Sequence, residues 1–204
     1  MIRTILFDMG NVLLKFDPHL FVQRLHCTDE EEHILINELF RSPEWVMADR
    51  GIIDDDELVS RIQKRLPASL HETAEQLIRH WDEPRIPMPG AYELLKDLKE
   101  AGYDMYLLTN ASLRHHVYWP KCDAAEFFPE DHIFLSADWK LLKPSVEYFE
   151  TAVKHFGLNR EECLFIDDAP ANAEAAIFCG IDAIVFNGSH EELREKLRTR
   201  GIQI

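Results

Sequence analysis

Five short stretches of the chain are apolar almost without interruption: Ile2–Phe7, Met105–Thr109, His132–Ser136, Cys163–Ile166 and Ala183–Phe186. Each runs into turn or polar residues, the pattern of a strand buried on both faces. Between the last four, the period changes to that of a helix. Ser145–Phe156 sets Val146, Phe149, Val153 and Phe156 on one stripe, and Pro170–Cys179 is a short alanine-rich helix closed by Gly180. Strand and helix in alternation predict an α/β fold, a Rossmann-like, doubly wound parallel sheet joined by right-handed crossovers.

The spacing adds a second feature. The last four strands begin at Met105, His132, Cys163 and Ala183, one ordinary βα period apart, whereas the first begins at Ile2. A single crossover takes roughly 30 residues, so roughly 70 of those between the first two strands are surplus to it. That surplus carries helix signals throughout: Asp17 before Pro18, the capping-box pair Thr28 and Glu31, and Asp54-Asp55-Asp56 ahead of LVSRIQKRL. It ends in the proline cluster Pro84–Gly90. The expectation is an α/β core of residues 1–15 and 87–204 with a small all-helical cap, 16–86, set into it.

Composition narrows the class. With 204 residues, 46% hydrophobic and 29% charged, the chain can bury a sizeable core without a metal or disulfide staple. A formal net charge of −15 repels phosphate backbones and anionic lipid surfaces, so neither nucleic acid nor membrane is expected as a partner. No apolar run approaches a membrane span, and MIRTILFD lacks the apolar stretch of a signal peptide. Cys27, Cys122, Cys163 and Cys179 lie far apart without a CxxC, as reduced thiols of a cytoplasmic protein would. Oligomeric state leaves no mark in the sequence.

In an open α/β sheet, ligands bind beyond the carboxyl ends of the strands. The residues there are Asp8, Thr109-Asn110, Lys143 a little past the third strand, and Asp167-Asp168. Carboxylates facing one another across a cleft repel unless a cation sits among them, and oxygen ligands suit a hard cation such as Mg2+. A hydroxyl, an amide and an ammonium from Thr109, Asn110 and Lys143 can together hold a phosphate.

In order, ILFDMGNVLL, YLLTN, LLKP and LFIDDAPAN resemble the four signatures of the haloacid dehalogenase superfamily of phosphohydrolases, and the helical insertion falls where that family carries its cap. FDMGNVL, TNASLRHHVYWP and FIDDAPAN resemble most the branch of bacterial sugar-phosphate phosphatases typified by alpha-D-glucose-1-phosphate phosphatase. The resemblance implies a magnesium-dependent phosphatase acting on a small phosphorylated metabolite, a sugar phosphate first of all, through an aspartyl-phosphate. Asp8 would be the nucleophile, with Gly10 giving a backbone carbonyl to Mg2+. Thr109 and Asn110 would bind the phosphoryl group, and Lys143 would neutralise Asp8 and phosphate oxygens. Asp168 would be a direct metal ligand, and Asp167 a direct or water-mediated one.

The chain departs from the family signature DxDxT at two positions. Gly10 stands where the second aspartate would protonate the leaving oxygen, and Val12 replaces the threonine. General acid-base help is worth about 10² to 10⁴ in rate. Two other readings therefore stand beside the phosphatase: a non-catalytic phospho-ligand binder, motivated by Gly10, and a metal-independent dehalogenase, against which Asp167-Asp168 argue. His19 and Asp17 near the cap hinge are candidates to supply the missing proton. His115 and His116 read as surface or groove histidines, Trp45 and Phe40 as core, and Tyr118 and Trp119 equally as pocket wall or as packing.

Overall fold

The computed structural model describes residues 1–83 and 85–204, so Pro84 of the predicted boundary cluster lies outside the described residues. Five strands form one parallel sheet: β1 (Thr4–Phe7), β2 (Asp104–Thr109), β3 (Ile133–Leu135), β4 (Cys163–Asp167) and β5 (Asp182–Val185). Their order is β3-β2-β1-β4-β5. The chain enters in the middle, builds outward to β3, and returns to the other side of β1 for β4 and β5. That reversal opens a crevice at the carboxyl ends of the central strands, where an α/β sheet binds its ligand.

Side chains alternate across the sheet, and so do the cores. Leu6, Leu108, Phe134 and Phe165 face the side covered by α9 (Val146–Phe156) and α10 (Pro170–Phe178). Ile5, Phe7, Leu107 and Ile166 face the other side, covered by α6 (Ala91–Glu100) and α11 (His190–Thr199). Single helical turns, α7 (His115–Tyr118) and α8 (Ser136–Trp139), follow β2 and β3. The predicted apolar stripe of α9 differs in part. Tyr148, Phe149, Ala152 and Val153 are the buried set, and Val146 is exposed. The Tyr148 hydroxyl donates to the Phe134 carbonyl at 2.9 Å, which turns that face of the helix toward the sheet.

Between β1 and α6 lie α1 (Pro18–Gln23), α2 (Asp29–Leu35), α3 (Pro43–Asp49), α4 (Asp55–Gln63) and α5 (His71–His80). Local chemistry starts them as the sequence suggested. Asp17 caps α1 ahead of Pro18, Thr28 and Glu31 form a full capping box, and Asp54 accepts from the Glu57 amide. Each such cap contributes about 1 kcal/mol. The chain leaves and re-enters the core side by side, with Lys15 N donating to Ile86 O (2.8 Å) and Met88 N to Leu13 O (2.9 Å). We propose this two-stranded seam as the boundary between core and cap. The apolar cluster does not stop at it: Phe21, Leu39, Trp45 and Leu77 are continuous with the α6 and α11 side of the sheet.

No helix among the described residues is long and apolar enough to cross a membrane. All four cysteines are free thiols, three of them buried.

Candidate active site

Three neighbouring strands deliver the reaction centre. The Asp8 amide donates to the Ile166 carbonyl at 2.8 Å, extending the β1 and β4 pairing to Asp8 itself. Asp8 thus sits beside Asp167, the last residue of β4. Asp168 follows, and ligand oxygens of Asp8, Asp167 and Asp168 lie within 4.8 Å of one another.

Lys143 enters from the loop between α8 and α9, clamped by Asn110. The Asn110 side chain accepts from Lys143 N and donates to Lys143 O, both at 2.9 Å. The ammonium has three N–H bonds and finds three acceptors: Asp8 Oδ1 at 2.8 Å, Asp167 Oδ2 at 2.7 Å and the Leu108 carbonyl at 2.8 Å. Its side chain is 1% exposed. Burial pulls its pKa down, but the charges and hydrogen bonds of Asp8 and Asp167 outweigh that and raise it, so Lys143 stays a cation.

Asp167 is equally engaged. Oδ1 accepts from the Ala169 amide (2.8 Å) and Asn172 Nδ2 (3.0 Å), and Oδ2 from Asn172 Nδ2 (3.0 Å) and Lys143. A carboxylate offers about four acceptor positions, so protein donors occupy them all. Asp168 is only partly buried, and its Oδ2 accepts from Asn11 Nδ2 at 3.1 Å. Asn11, at φ 52, also holds the turn after β1 by accepting from Phe16 N at 3.0 Å. Burial raises the pKa of Asp8 to about 7, with Lys143 opposing and Asp167 adding to the shift, and burial raises that of Asp168. Counted separately from these burial effects, three ionised carboxylates against one ammonium carry two net negative charges, which one divalent cation would balance. The donor set is all oxygen, which suits Mg2+.

Above this centre lies a cavity of about 290 Å³. Asp8, Gly10, Asn110, Lys143 and Asp168 line it, whereas Thr109, buried at the end of β2, and Asp167 lie behind its wall. The opposite wall is aromatic. Phe16, Phe21, Phe40, Trp45, Trp81 and Tyr118 surround the space in edge-to-face and tilted pairs, such as Trp81 and Tyr118 edge to face at 5.3 Å and Phe40 and Trp45 tilted at 4.7 Å. Trp45 and Phe40 are therefore core and pocket at once. Tyr118 walls the cavity and donates to Met9 Sδ at 3.7 Å, while Trp119 instead stacks on His115.

Polar groups interrupt this wall at few places. Asp82 pairs with Arg114 at 2.5 Å and Arg85 at 3.6 Å, and Arg114 reaches Asp55 at 3.3 Å. Asp49, the last residue of α3, also lines the cavity, and burial raises its pKa to about 8 against the Ser112 amide pulling the other way.

The structure corrects the histidine reading. His115 is 1% exposed, and burial lowers its pKa to about 3, whereas His116 is on the surface beside Asp138 at 3.0 Å. Adjacent residues on a helix point about 100° apart, and α7 turns one ring inward. His19 and Asp17 stand apart from the cavity, engaged with Glu32 (2.6 Å) and with Lys15 (3.6 Å) respectively. Asn11, Asn172 and Asp49 had drawn no role from the sequence. The first two lie inside the signature segments, as FDMGN and DDAPAN show, but Asp49 sits in VMADRGI, which carries no motif.

Comparison with known proteins identifies the family. The family model of haloacid dehalogenase-like hydrolases matches residues 2–180. Sesquiterpene phosphatase astK of Aspergillus oryzae is 26% identical over 88% of this chain and 87% of its own. Flavin mononucleotide hydrolase 1 of Arabidopsis thaliana is 24% identical over 78% of this chain, which spans 63% of that protein. Among solved structures, the HAD-hydrolase YfnB of Bacillus subtilis, bound to magnesium, superposes with a TM-score of 0.73 at 23% identity over 97% of this chain and 99% of its own. A HAD family enzyme of Bacteroides thetaiotaomicron, in complex with magnesium and inorganic phosphate, gives 0.69 at 23% over 95% and 99%. The chain belongs to the haloacid dehalogenase-like hydrolases, and it is an enzyme.

Proposed function

We propose that the protein is a magnesium-dependent phosphatase that hydrolyses a small phosphorylated metabolite through an aspartyl-phosphate on Asp8. The carrying observation is the clustered trio Asp8, Asp167 and Asp168, the first two paired with one buried ammonium, beside a cavity large enough for a small ester. Phosphoryl transfer needs chiefly positioning and charge stabilisation, and this floor supplies both.

In the proposed reaction, an Asp8 oxygen attacks phosphorus in line with the leaving oxygen. Lys143, fixed by Asp167 and Asn110, neutralises charge on Asp8 and on the transferring group. Asn110, at the cavity wall, donates to phosphate oxygens, and Thr109 contributes from behind it. Asp8, Asp168 and the Gly10 carbonyl would hold Mg2+, with Asp167 acting through Lys143 or a water. When bound, the cation shields the phosphate from the carboxylates and stabilises charge in the transition state. Water then cleaves the aspartyl-phosphate and restores Asp8.

The sugar-phosphate reading follows the sequence resemblance and is supported by Asp49, Asp82 and Arg85, which are suited to hydroxyl groups. A second reading, a monophosphate with an apolar body, is favoured by the six aromatic rings, and the sesquiterpene phosphatase relative points the same way. Phosphate release in Mg2+ across hexose 1- and 6-phosphates, FMN, isoprenyl monophosphates and p-nitrophenyl phosphate separates them by kcat/KM. Metal-free halide release would instead favour a dehalogenase, and ligand binding without turnover a binding protein.

A further inference from the structure

Gly10 removes the carboxyl that the family signature places two residues after the nucleophile. The space is open: a Cβ added there would meet only Phe16 Cβ, at 3.9 Å. A proton donor has to come from elsewhere in the cavity wall, and the wall offers few. The Tyr118 hydroxyl faces Met9, and burial holds its pKa well above the ordinary tyrosine value. Asp82 is ion-paired with Arg114 and Arg85, and Lys15 with Asp17. Outside the reaction centre, Asp49 is the cavity-lining carboxyl without an ion-pair partner among the described residues.

Its backbone is fastened to the same hydroxyl that holds the phosphate-binding loop. Ser136 Oγ accepts from Ala111 N at 2.9 Å and donates to the Asp49 carbonyl at 2.5 Å. Arg50 Nε donates to Lys140 O at 2.8 Å, and Lys140 Nζ to Gly51 O, so the end of α3 is tied to α8. Asp49 therefore keeps its place relative to Asn110 and Ala111, although it belongs to the cap.

We propose that Asp49 is the catalytic acid and base of this enzyme, taking the part that Gly10 leaves vacant. In the first step, Asp8 forms a bond to phosphorus, the bond from phosphorus to the ester oxygen breaks, and the Asp49 proton moves to that oxygen to release the alcohol. In the second step, the Asp49 carboxylate takes a proton from water as its oxygen bonds to phosphorus. The bond to Asp8 breaks, phosphate leaves, and Asp49 is again protonated. No oxidant or further reactant is needed. A carboxyl with a pKa of about 8 holds its proton at neutral pH and can recycle it. The groups around it are the Ser112 amide, which hydrogen-bonds to its carboxyl, Tyr118 and Asp82, which line the same cavity, and Asp55 and Arg114, which line an adjoining pocket with it.

This inference rests on the phosphatase reading, and one experiment distinguishes the two. Wild type, Asp49→Asn and Asp49→Glu are compared in Mg2+ on p-nitrophenyl, phenyl and alkyl phosphates, whose leaving groups grow more basic in that order. We expect the Asp49→Asn loss in kcat/KM to steepen along the series, reaching about 10²-fold or more on the alkyl ester. The alkaline limb of the wild-type profile, near pH 8, should vanish in Asp49→Asn and persist in Asp49→Glu, with partial activity. A loss equal for all three esters, or no loss on the alkyl ester, would overturn the assignment of Asp49 alone. Wild type inert on all three would overturn the phosphatase reading, and this inference with it.

Discussion

The floor and the roof of the cavity are built on opposite terms. On the floor, the buried polar atoms of two residues are fully partnered: Lys143 has three acceptors for three N–H bonds, and Asp167 has a protein donor at each acceptor position. On the roof, aromatic rings meet one another, and Asp49 lacks a partner charge among the described residues. A polar network satisfied this fully is rigid, and losing one member strands the rest. An apolar wall tolerates exchange if volume is kept. The floor can thus serve one reaction while the roof is free to differ in shape and in what it admits.

Lys143→Met attacks the floor at its centre and should have the largest effect. Removing the ammonium leaves Asp8 and Asp167 facing each other without it, at a cost of about 3–5 kcal/mol in chemical denaturation. Phosphate release should fall by about 10³-fold or more. A stable, active variant would break the claim that paired charge holds the floor. Next, Asp168→Ala should weaken Mg2+ binding by about 10²-fold and Asp167→Asn by about 10-fold in calorimetric titration, because the Asp167 oxygens are already engaged. The reverse order would make Asp167 the ligand and Asp168 the support.

The roof should answer differently. Trp45→Leu is expected to lower kcat/KM on the best metabolite ester by about 10-fold while changing acetyl phosphate by about two-fold or less. Equal losses on both would mean that the roof takes part in the chemistry throughout. The smallest effect concerns stability. The folded pKa of Asp49, about 8, lies above its ordinary value of 3.8, so folding binds a proton that the unfolded chain releases. Its contribution is therefore fully present below about pH 3.8 and is lost as pH rises through about 8. Asp49→Asn should gain on the order of 1–3 kcal/mol relative to wild type at pH 8 and nothing at pH 4, read as the difference in denaturation midpoints.

The same contrast explains what could be read from the sequence. The floor is legible because strands buried on both faces form continuous apolar runs, and the residue after each run must emerge at the crevice. Asp8, Asn110 and Asp168 emerge that way, and Lys143, a little past the third strand, is brought to them by the Asn110 clamp. Helix caps were equally local, as Asp17, Thr28 and Asp54 show. Asp49 is not legible, because its place depends on how α3 packs against α8 and on the Ser136 hydroxyl far along the chain. His115 and Val146 fail for a related reason: a helical period gives the stripe but not which flank of it tertiary contacts will cover.

The most direct test of the central claim, covalent catalysis on Asp8, is to mix enzyme, Mg2+ and p-nitrophenyl phosphate, quench in acid within the first turnovers, and map the peptide from Met1 to Lys15 by mass spectrometry. The account predicts one phosphoryl group on Asp8, absent in Asp8→Asn, a variant that keeps its fold but does not turn over. Phosphate release with Asp8 unmodified, or with undiminished turnover in Asp8→Asn, would contradict it.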